Sequence, residues 1–176
     1  MAFILETPRL VLREMGQADL PALRKILQDP QVMYAYEHAF SEAEVQDWFQ
    51  AQLRRYREDG VGLWAVCRRE NTGEMIGQCG LTWQNAGGHR MREIGYLFQK
   101  QYWHKGYATE AAVACKRYAF DVLGDEEVCS IIRDTNAPSQ AVARRNGMLP
   151  AARFVKHYYG IDMPHIVFVV HRKTGA

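Results

Sequence analysis

The stretch from Leu97 to Ala112, LFQKQYWHKGYATEAA, contains the residues best suited to binding an anion. A strand pattern ends and a helix pattern begins within it, and Gly106 stands at the tight part of the turn. Unpaired N–H groups at a helix start attract a phosphate, and glycine lets the backbone approach it closely. Lys105 and His104 could reach the same anion. The pattern indicates a phosphate site, or a turn whose glycine serves backbone geometry alone.

Glu93 is the second group that could do chemistry, because it is a carboxylate within an otherwise apolar strand pattern. Burial in such a strand would raise its pKa and make it a better general base. The alternative is an edge charge that pairs with Arg90, Arg92 or a neighbouring strand. The residues alone leave both interpretations open.

The four cysteines, Cys67, Cys79, Cys115 and Cys129, are widely separated and form no CxxC pair. No histidine stands near them at zinc-ligand spacing, so we predict no metal site. Free cysteine in an apolar run behaves as a small hydrophobic residue. We therefore expect buried free thiols.

The elements that must position these residues follow from hydrophobic periodicity. Residues 9–14 alternate as a strand. Asp19 is a candidate cap for a first helix that has Pro21 in its first turn. A capping box at Ser41 to Glu44 begins a second helix, which extends to about Asp59.

From residue 61 the pattern changes to strands. Residues 61–68 and 74–83 form two strands joined by a turn at Asn71-Thr72-Gly73. The remaining elements are a strand at 91–98, a helix from about Lys105 to Leu123, a strand at 127–132, a helix at 137–146, and strands at 148–156 and 163–171. This order predicts an α/β (α+β) domain with a mixed sheet.

Size and composition limit the classes of protein to which the chain can belong. Its 176 residues, 48% hydrophobic and 24% charged, fit one globular domain over residues 1–176. A net charge of +2 and mixed charges argue against a nucleic-acid binder. No run approaches a membrane span and the first residues lack a secretory pattern, so we expect a cytoplasmic protein.

Several segments of the chain are similar to those of one protein family. WHKGYATEA at Trp103 to Ala111 is similar to WGKGYATEA, the coenzyme A pyrophosphate loop in the GNAT N-acetyltransferase superfamily and, within it, the branch of ribosomal-protein N-terminal acetyltransferases. ETPRLVLRE at Glu6 to Glu14 resembles its opening strand, and EIGYL at Glu93 to Leu97 its fourth strand. NAPSQAVARRNGM at Asn136 to Met148 resembles its NxxS…K/R-x-G-F segment. The segments occur in family order and cover nearly the whole chain.

Three positions differ from the pattern of that family. His104 replaces the first glycine of the loop and needs a backbone angle open to a side chain. Trp103 stands where arginine or glutamine is frequent. Met148 replaces an aromatic residue and is expected to fill the same core space.

The resemblance implies a fold and a reaction. The fold is a GNAT-like domain with a central mixed, mostly antiparallel sheet, splayed between the fourth and fifth strands and flanked by about four helices. The reaction is direct transfer of an acetyl group from acetyl-CoA, without a metal, to a protein N-terminal α-amine or a small-molecule amine. The alternative function is an acyl-CoA-binding sensor or partner module with little catalysis. Relatives are monomers or homodimers.

The resemblance also implies a donor site. Backbone groups around Leu97 and Phe98 would bind the pantetheine arm, and the loop before the long helix would hold the pyrophosphate. The expected donor-binding residues are Leu97, Phe98, Trp103, His104, Lys105, Gly106, Tyr107, Ala108, Thr109, Asn136, Ser139 and Arg145, with Arg144 as the alternative to Arg145. Asn136 and Ser139 could instead serve only to cap a helix.

The implied reaction needs a base, because an amine is mostly protonated at neutral pH. Glu93 is the first candidate for it. Tyr158 is the first candidate for the acid that protonates the leaving thiolate, with Tyr159 and Ser139 as alternatives. Aromatic packing in a hairpin is the competing interpretation of both tyrosines.

The sequence says least about the residues that bind the acceptor amine. The acidic segment from Glu37 to Asp47 could attract an ammonium group. Glu42 and Glu44 are better explained as favourable charges in the first turn of a helix. His165 and His171 are interpreted as strand residues without a role. A further set of residues could line the acceptor pocket or belong to the core: Tyr34, Tyr36, Trp83 and His157.

Overall fold

A computed structural model describes residues 2–158 and 160–173. This part of the chain forms an eight-stranded sheet with four α-helices. In chain order the elements are β1 (Leu5–Glu6), β2 (Leu10–Arg13), α1 (Leu20–Leu27), α2 (Glu42–Glu58), β3 (Leu63–Arg68), β4 (Asn71–Asn85), β5 (Arg90–Phe98), α3 (Tyr107–Asp121), β6 (Glu127–Arg133), α4 (Ala137–Arg145), β7 (Leu149–Tyr158) and β8 (Ile161–His171). Over the described ranges, no helix has the length and apolar character needed to cross a bilayer.

The sheet order is β1-β2-β3-β4-β5-β6-β8-β7, and only the pairing of β5 with β6 is parallel within the described residues. This confirms the predicted mixed, mostly antiparallel sheet with four helices. The short β1 precedes the predicted first strand, so the predicted fourth and fifth strands are β5 and β6. Those two strands share the single register pair Glu93 and Cys129, and the sheet splays there.

A side chain helps to join the two strands at the splay. The hydroxyl of buried Ser130 on β6 donates a hydrogen bond of 2.8 Å to the carbonyl oxygen of Ile94 on β5. Beyond this point, β5 has no further register pair with β6 in the described chain. The sheet therefore consists of two halves, β1 to β5 and β6 to β7, that meet along a short seam at Glu93, Ile94, Cys129 and Ser130.

The helices cover the two faces of the sheet unequally. α1 and α2 pack on one face of the first half, and α3 and α4 pack on the opposite face. On the face that carries α1 and α2, the second half is covered only by a small cluster around Met91, Cys129 and Val167 among the described residues. No helix of the described chain packs on this area, although Cys129 and Val167 are buried in it. We call it the open face, and it extends over β6, β8 and β7.

Small residues let α3 lie close to the sheet, as predicted. Ala112, Cys115 and Ala119 are buried in it, and the Sγ atom of Cys115 is 3.6 Å from that of Cys79 on β4. All four cysteines are buried and free, which confirms that prediction.

Of the two predicted helix starts, one cap is confirmed and the other is wrong. Ser41 and Glu44 form the predicted capping box at α2. The cap predicted for Asp19 is wrong, because its carboxylate accepts bonds of 2.7 and 2.8 Å from the buried guanidinium of Arg13. It also accepts one of 2.8 Å from the backbone N–H of Gly16. A buried arginine needs a carboxylate partner more than an exposed helix start does.

The turn predicted at residues 71–73 is wrong by two residues. β3 and β4 are connected through Arg69 and Glu70, and Arg68 faces Asn71 across the ladder. Two register shifts near Cys67 bring the strands to this shorter connection. The side chain of Asn71 therefore lies at the start of a strand.

Candidate active site

The start of α3 is open. Gly106 precedes it with φ 78° and ψ 6°, in the left-handed region, and no side chain of the described residues caps the helix. The first N–H groups of α3 therefore have no partner within the helix. A cleft of about 580 Å³ at this point is lined by His104, Gly106, Thr109, Glu110 and Arg145. The predicted anion site thus has space, free donors and a guanidinium.

His104 adopts φ 60°. This left-handed conformation is one that histidine visits more often than most residues, at a cost of roughly 1–2 kcal/mol. The expectation of an angle open to side chains is wrong for this position. The loop keeps a glycine-like backbone shape, and His104 lines the cleft.

Arg9 braces the loop from the start of β2, a contact that sequence reasoning missed. Its guanidinium donates bonds of 2.8 Å to the carbonyl oxygen of Lys105 and 2.6 Å to the carboxylate of Glu110. It also lies 4.7 Å from the ring centroid of Tyr107. The hydroxyl of Thr7 donates to the same carboxylate at 2.6 Å. The opposite charges of Arg9 and Glu110, which lie in two of the family-like segments, were the signal in the sequence that could have indicated this contact.

Trp103 holds the loop to the end of β5. Its indole N–H donates a 3.0 Å bond to the carbonyl oxygen of Phe98, so that carbonyl is already bonded. Leu97 lies on the part of β5 beyond the seam. The ammonium group of Lys105 lies 5.4 Å from the ring centroid of Tyr102 and is not among the groups that line the cleft.

Glu93 lies on β5 at the seam. Burial raises the pKa of its carboxyl to about 7, although Lys156, the backbone N–H of Ile131 and Arg55 act in the opposite direction. A carboxyl group with this pKa can accept a proton near neutral pH.

The charged neighbours of Glu93 along β5 have other partners. Arg92 pairs with Asp125, and the guanidinium of Arg90 lies 4.5 Å from a ring centroid of Trp83. Within the described chain, neither arginine forms an ion pair with Glu93. The interpretation of Glu93 as an edge charge paired with these arginines is therefore wrong.

A family model described as an acetyltransferase (GNAT) domain matches residues 9–149. The chain belongs to the GNAT acetyltransferases. The matched region contains the loop at α3, the seam and α4, and it confirms the resemblance found in the sequence segments.

Individual proteins and solved structures are similar to this chain. The uncharacterized protein YkkB of Bacillus subtilis is 35% identical over 145 residues, which cover 82% of this chain and 84% of that protein. The acetyltransferase structure from Agrobacterium tumefaciens has a TM-score of 0.81 at 28% identity and covers 96% of this chain and 94% of its own. RimL, the ribosomal L7/L12 α-N-protein acetyltransferase solved with coenzyme A, shares the fold with a TM-score of 0.75 at 17% identity, over 97% of this chain and 98% of its own.

Asn136 begins α4 in this GNAT protein. Its side-chain oxygen accepts a 3.2 Å bond from the backbone N–H of Ser139, which makes it a helix cap, and a 2.7 Å bond from the hydroxyl of Tyr34. The hydroxyl of Tyr96 on β5 donates a 2.8 Å bond to the carbonyl oxygen of Ser139 and so bridges the splay. Sequence reasoning gave Tyr96 no role, although it stands in the EIGYL segment. Donor binding by Asn136 and Ser139 stays a prediction.

The two arginines that end α4 lie in different places. Arg145 lines the cleft at α3. The guanidinium of Arg144 lies 5.3 Å from the ring centroid of Phe168. Of the two predicted alternatives, Arg145 is therefore the one near the candidate anion site.

Tyr158 ends β7 and is 47% exposed. Desolvation raises the pKa of Tyr36, and the charges of Glu93 and Tyr158 raise it further, so these three groups lie near one another. Tyr159, the alternative acid, lies outside the described residues. A catalytic role for Tyr158 stays a prediction.

The acidic segment before and within α2 has structural contacts. Glu42 forms an ion pair of 2.8 Å with Arg24, and Glu44 contacts His38 at 3.0 Å besides closing the capping box. Hydrogen bonds lower the pKa of both carboxyls to about 2. Their positions agree with the helix-start interpretation. No group of side chains in the described ranges is arranged to hold a metal ion.

Proposed function

We propose that this protein transfers an acetyl group from acetyl-CoA to a primary amine. The observation that carries the proposal is the uncapped start of α3 beside a cleft whose lining includes Arg145. Free N–H groups, a helix dipole and a guanidinium together favour a pyrophosphate. Use of acetyl-CoA by the GNAT family gives the donor its identity.

The donor would lie along the splay. Its pyrophosphate would accept hydrogen bonds from the N–H groups of Lys105 to Thr109 and from Arg145. Its pantetheine arm would follow β5 at Leu97, where the strand has diverged from β6, as an added strand does. Asn136 and Ser139 would contact the arm from the start of α4.

Glu93 would be the general base. With a pKa near 7 it is about half ionised at neutral pH, and it would take a proton from the amine directly or through one water. The amine nitrogen forms a bond to the acetyl carbon as the carbon–sulfur bond breaks, and the sulfur leaves as a thiolate. Tyr158 would donate a proton to that thiolate, with Ser139 and Tyr159 as the alternatives.

The acceptor would approach over the open face, close to Glu93, Tyr36 and Tyr158, which lie near one another. A protein N-terminal α-amine and a small-molecule amine both meet this description. A charged amine must lose a proton first, which is the reason for a base at the seam.

Release of free CoA thiol from acetyl-CoA tests the proposal. Half of the acceptor panel consists of short peptides that differ at the N-terminal residue, and half of small amines and amino-antibiotics. Release with either half supports acetyl transfer and identifies the acceptor class. Acetyl-CoA binding without release for any amine would contradict acetyl transfer and support an acyl-CoA-binding module.

Calorimetry with two matched variants tests the donor site separately. Arg145→Met should weaken acetyl-CoA binding about tenfold, because a charge-assisted bond to phosphate is lost. Arg144→Met, one residue away and stacked on Phe168, should leave the affinity within about twofold. Equal effects of the two variants would contradict the placement of the pyrophosphate.

A further inference from the structure

Four side chains form a group on the open face, beside the proposed acceptor site. Arg133 on β6 faces His165 on β8, and His165 faces Phe154 on β7. The rings of Phe154 and His165 stack with centroids 5.9 Å apart. Lys156, two residues further along β7, lies 5.9 Å from the ring centroids of both Phe154 and Tyr158. All of these side chains are therefore on one face of the sheet.

Arg133 and Lys156 are close enough to act on the same groups. Two strand spacings and two residues separate their backbones, about 12 Å in total, which long side chains can close from both ends. Burial lowers the pKa of His165 and the charges of both cations lower it further, whereas the bond to Met163 and the charge of Asp134 act in the opposite direction. The Nδ1 atom of His165 lies 2.8 Å from the carbonyl oxygen of Met163, so the neutral ring donates there and keeps Nε2 as an acceptor.

Neither cation has a carboxylate partner within the described residues. Arg133 donates a 3.3 Å bond to the carbonyl oxygen of Tyr34, and its Nε atom is buried without an acceptor. No carboxylate oxygen of the described chain lies within 4.0 Å of the Lys156 ammonium group. Asp162, on the same hairpin, is paired with His157. A buried donor without an acceptor is unfavourable, and an anionic ligand here would supply the acceptor.

We propose that Arg133 and Lys156 bind an acidic group of the acceptor, so that the substrate carries a carboxylate near its reacting amine. This inference rests on the proposed function, since it concerns the acceptor of that reaction. Glu93 lies on β5, next to the strand that carries Arg133. The amine would face Glu93 and the acid would face the two cations. One strand spacing and four residues separate the backbones of Glu93 and Arg133, about 14 Å in total, which the long side chain of arginine shortens. A peptide with an acidic second or third residue and a small amino acid both have this chemistry.

The first test compares acceptors that differ only in the acid. One arm is Ala-Asp-Ala amide against Ala-Asn-Ala amide, and the other is 4-aminobutanoate against 4-aminobutanamide. In the wild-type protein kcat/KM should be about tenfold higher for the acid in at least one arm. The arm that responds distinguishes a peptide from a small amine.

Two variants assign the effect to this face. Lys156→Met should reduce the preference for the acid over the amide to within about twofold. The charge of Lys156 also acts on the pKa of Glu93, so kcat/KM changes for both acceptors and the ratio between them is the readout. Arg153→Met is the matched control, because Arg153 is exposed and an odd number of positions away on the same strand, on the opposite face. It should keep the full preference. Equal loss in the two variants would overturn the assignment to Lys156.

A binding measurement gives a readout that needs no turnover. CoA-loaded wild-type protein should bind the N-acetylated acid about tenfold more tightly than the N-acetylated amide in calorimetry, and Lys156→Met should remove the difference. Equal kcat/KM or equal affinity for acid and amide would overturn the anion subsite and leave acetyl transfer intact. A binding preference without CoA release from any amine would support the subsite and contradict the proposed function.

Discussion

Glu93 has two properties that a single substitution removes. Burial at the seam brings the pKa of its carboxyl to about 7, which suits a base. The same burial makes the ionised form unfavourable for the fold. Glutamine has nearly the same shape and cannot titrate, so it removes both effects together.

Glu93→Gln should lower kcat about tenfold or more while acetyl-CoA affinity stays within a few-fold. In the wild type, log kcat/KM for total amine should rise with a slope of about two below pH 7 and about one above it, because Glu93 and the amine must both lose a proton. The variant should show a slope of about one throughout. A break near pH 7 that persists in the variant would assign the base to another group.

The same variant should be more stable than the wild type in alkaline solution. Because the pKa of Glu93 in the folded protein lies above its ordinary value of 4.5, the wild type loses stability as the pH rises from 4.5 to about 7. The variant should gain about 1–3 kcal/mol over the wild type across that window, measured by urea unfolding at both ends. A constant difference at all pH values would mean that the carboxyl titrates normally.

At the scale of elements, a helix start or a turn can be predicted when its signal lies in its own sequence. The capping box at Ser41 to Glu44 and the glycine at Gly106 each predict a helix start that the structure contains. The cap at Asp19 and the turn at residues 71–73 are wrong because each depends on a partner elsewhere. Arg13 takes the carboxylate of Asp19, and register shifts between β3 and β4 move the turn.

The residues of the candidate site also differ in whether the sequence around them carries a signal. The loop before α3 and Glu93 are visible in local patterns and in the family resemblance. Arg9 is not, because its contact with Glu110 joins residues 101 positions apart. The cations of the open face are equally hidden, since Arg133 and Lys156 come to the same face only when β8 is placed between β6 and β7.

Arg9→Met should weaken acetyl-CoA binding about threefold to tenfold, because the loop loses its bond at the carbonyl of Lys105. The unfolding free energy should change by less than about 1 kcal/mol, since Arg9 is half exposed. Arg69→Met removes a similar ion pair, with Glu6, and serves as the control. Calorimetry of all three proteins measures the effect. Unchanged affinity in Arg9→Met would mean that the loop holds its shape without Arg9.

At the scale of the whole molecule, the splay makes a donor site possible and also weakens the sheet. A continuous sheet would pair every backbone group of β5 and leave none for a ligand. The two halves meet instead through the short seam, where the bond from Ser130 to Ile94 supplements a single register pair.

Ser130→Ala should lower the unfolding free energy by about 1–2 kcal/mol, because the carbonyl of Ile94 loses its buried donor. Ser41→Ala should cost a similar amount through loss of the α2 cap. Hydrogen exchange distinguishes the two variants, because only Ser130→Ala should speed amide exchange in β6 and β8. Uniform acceleration across the sheet in Ser130→Ala would mean that the halves open as one unit.

The buried cysteines have a practical consequence for following this protein. In the folded chain all four sulfur atoms are enclosed by the sheet and its packing partners. A colorimetric thiol reagent added to the folded protein therefore registers only the sulfur that leaves the donor. Once the chain unfolds, four further sulfur atoms per molecule become reactive. At low temperature the colour therefore measures turnover, whereas on heating it measures the fraction of unfolded molecules.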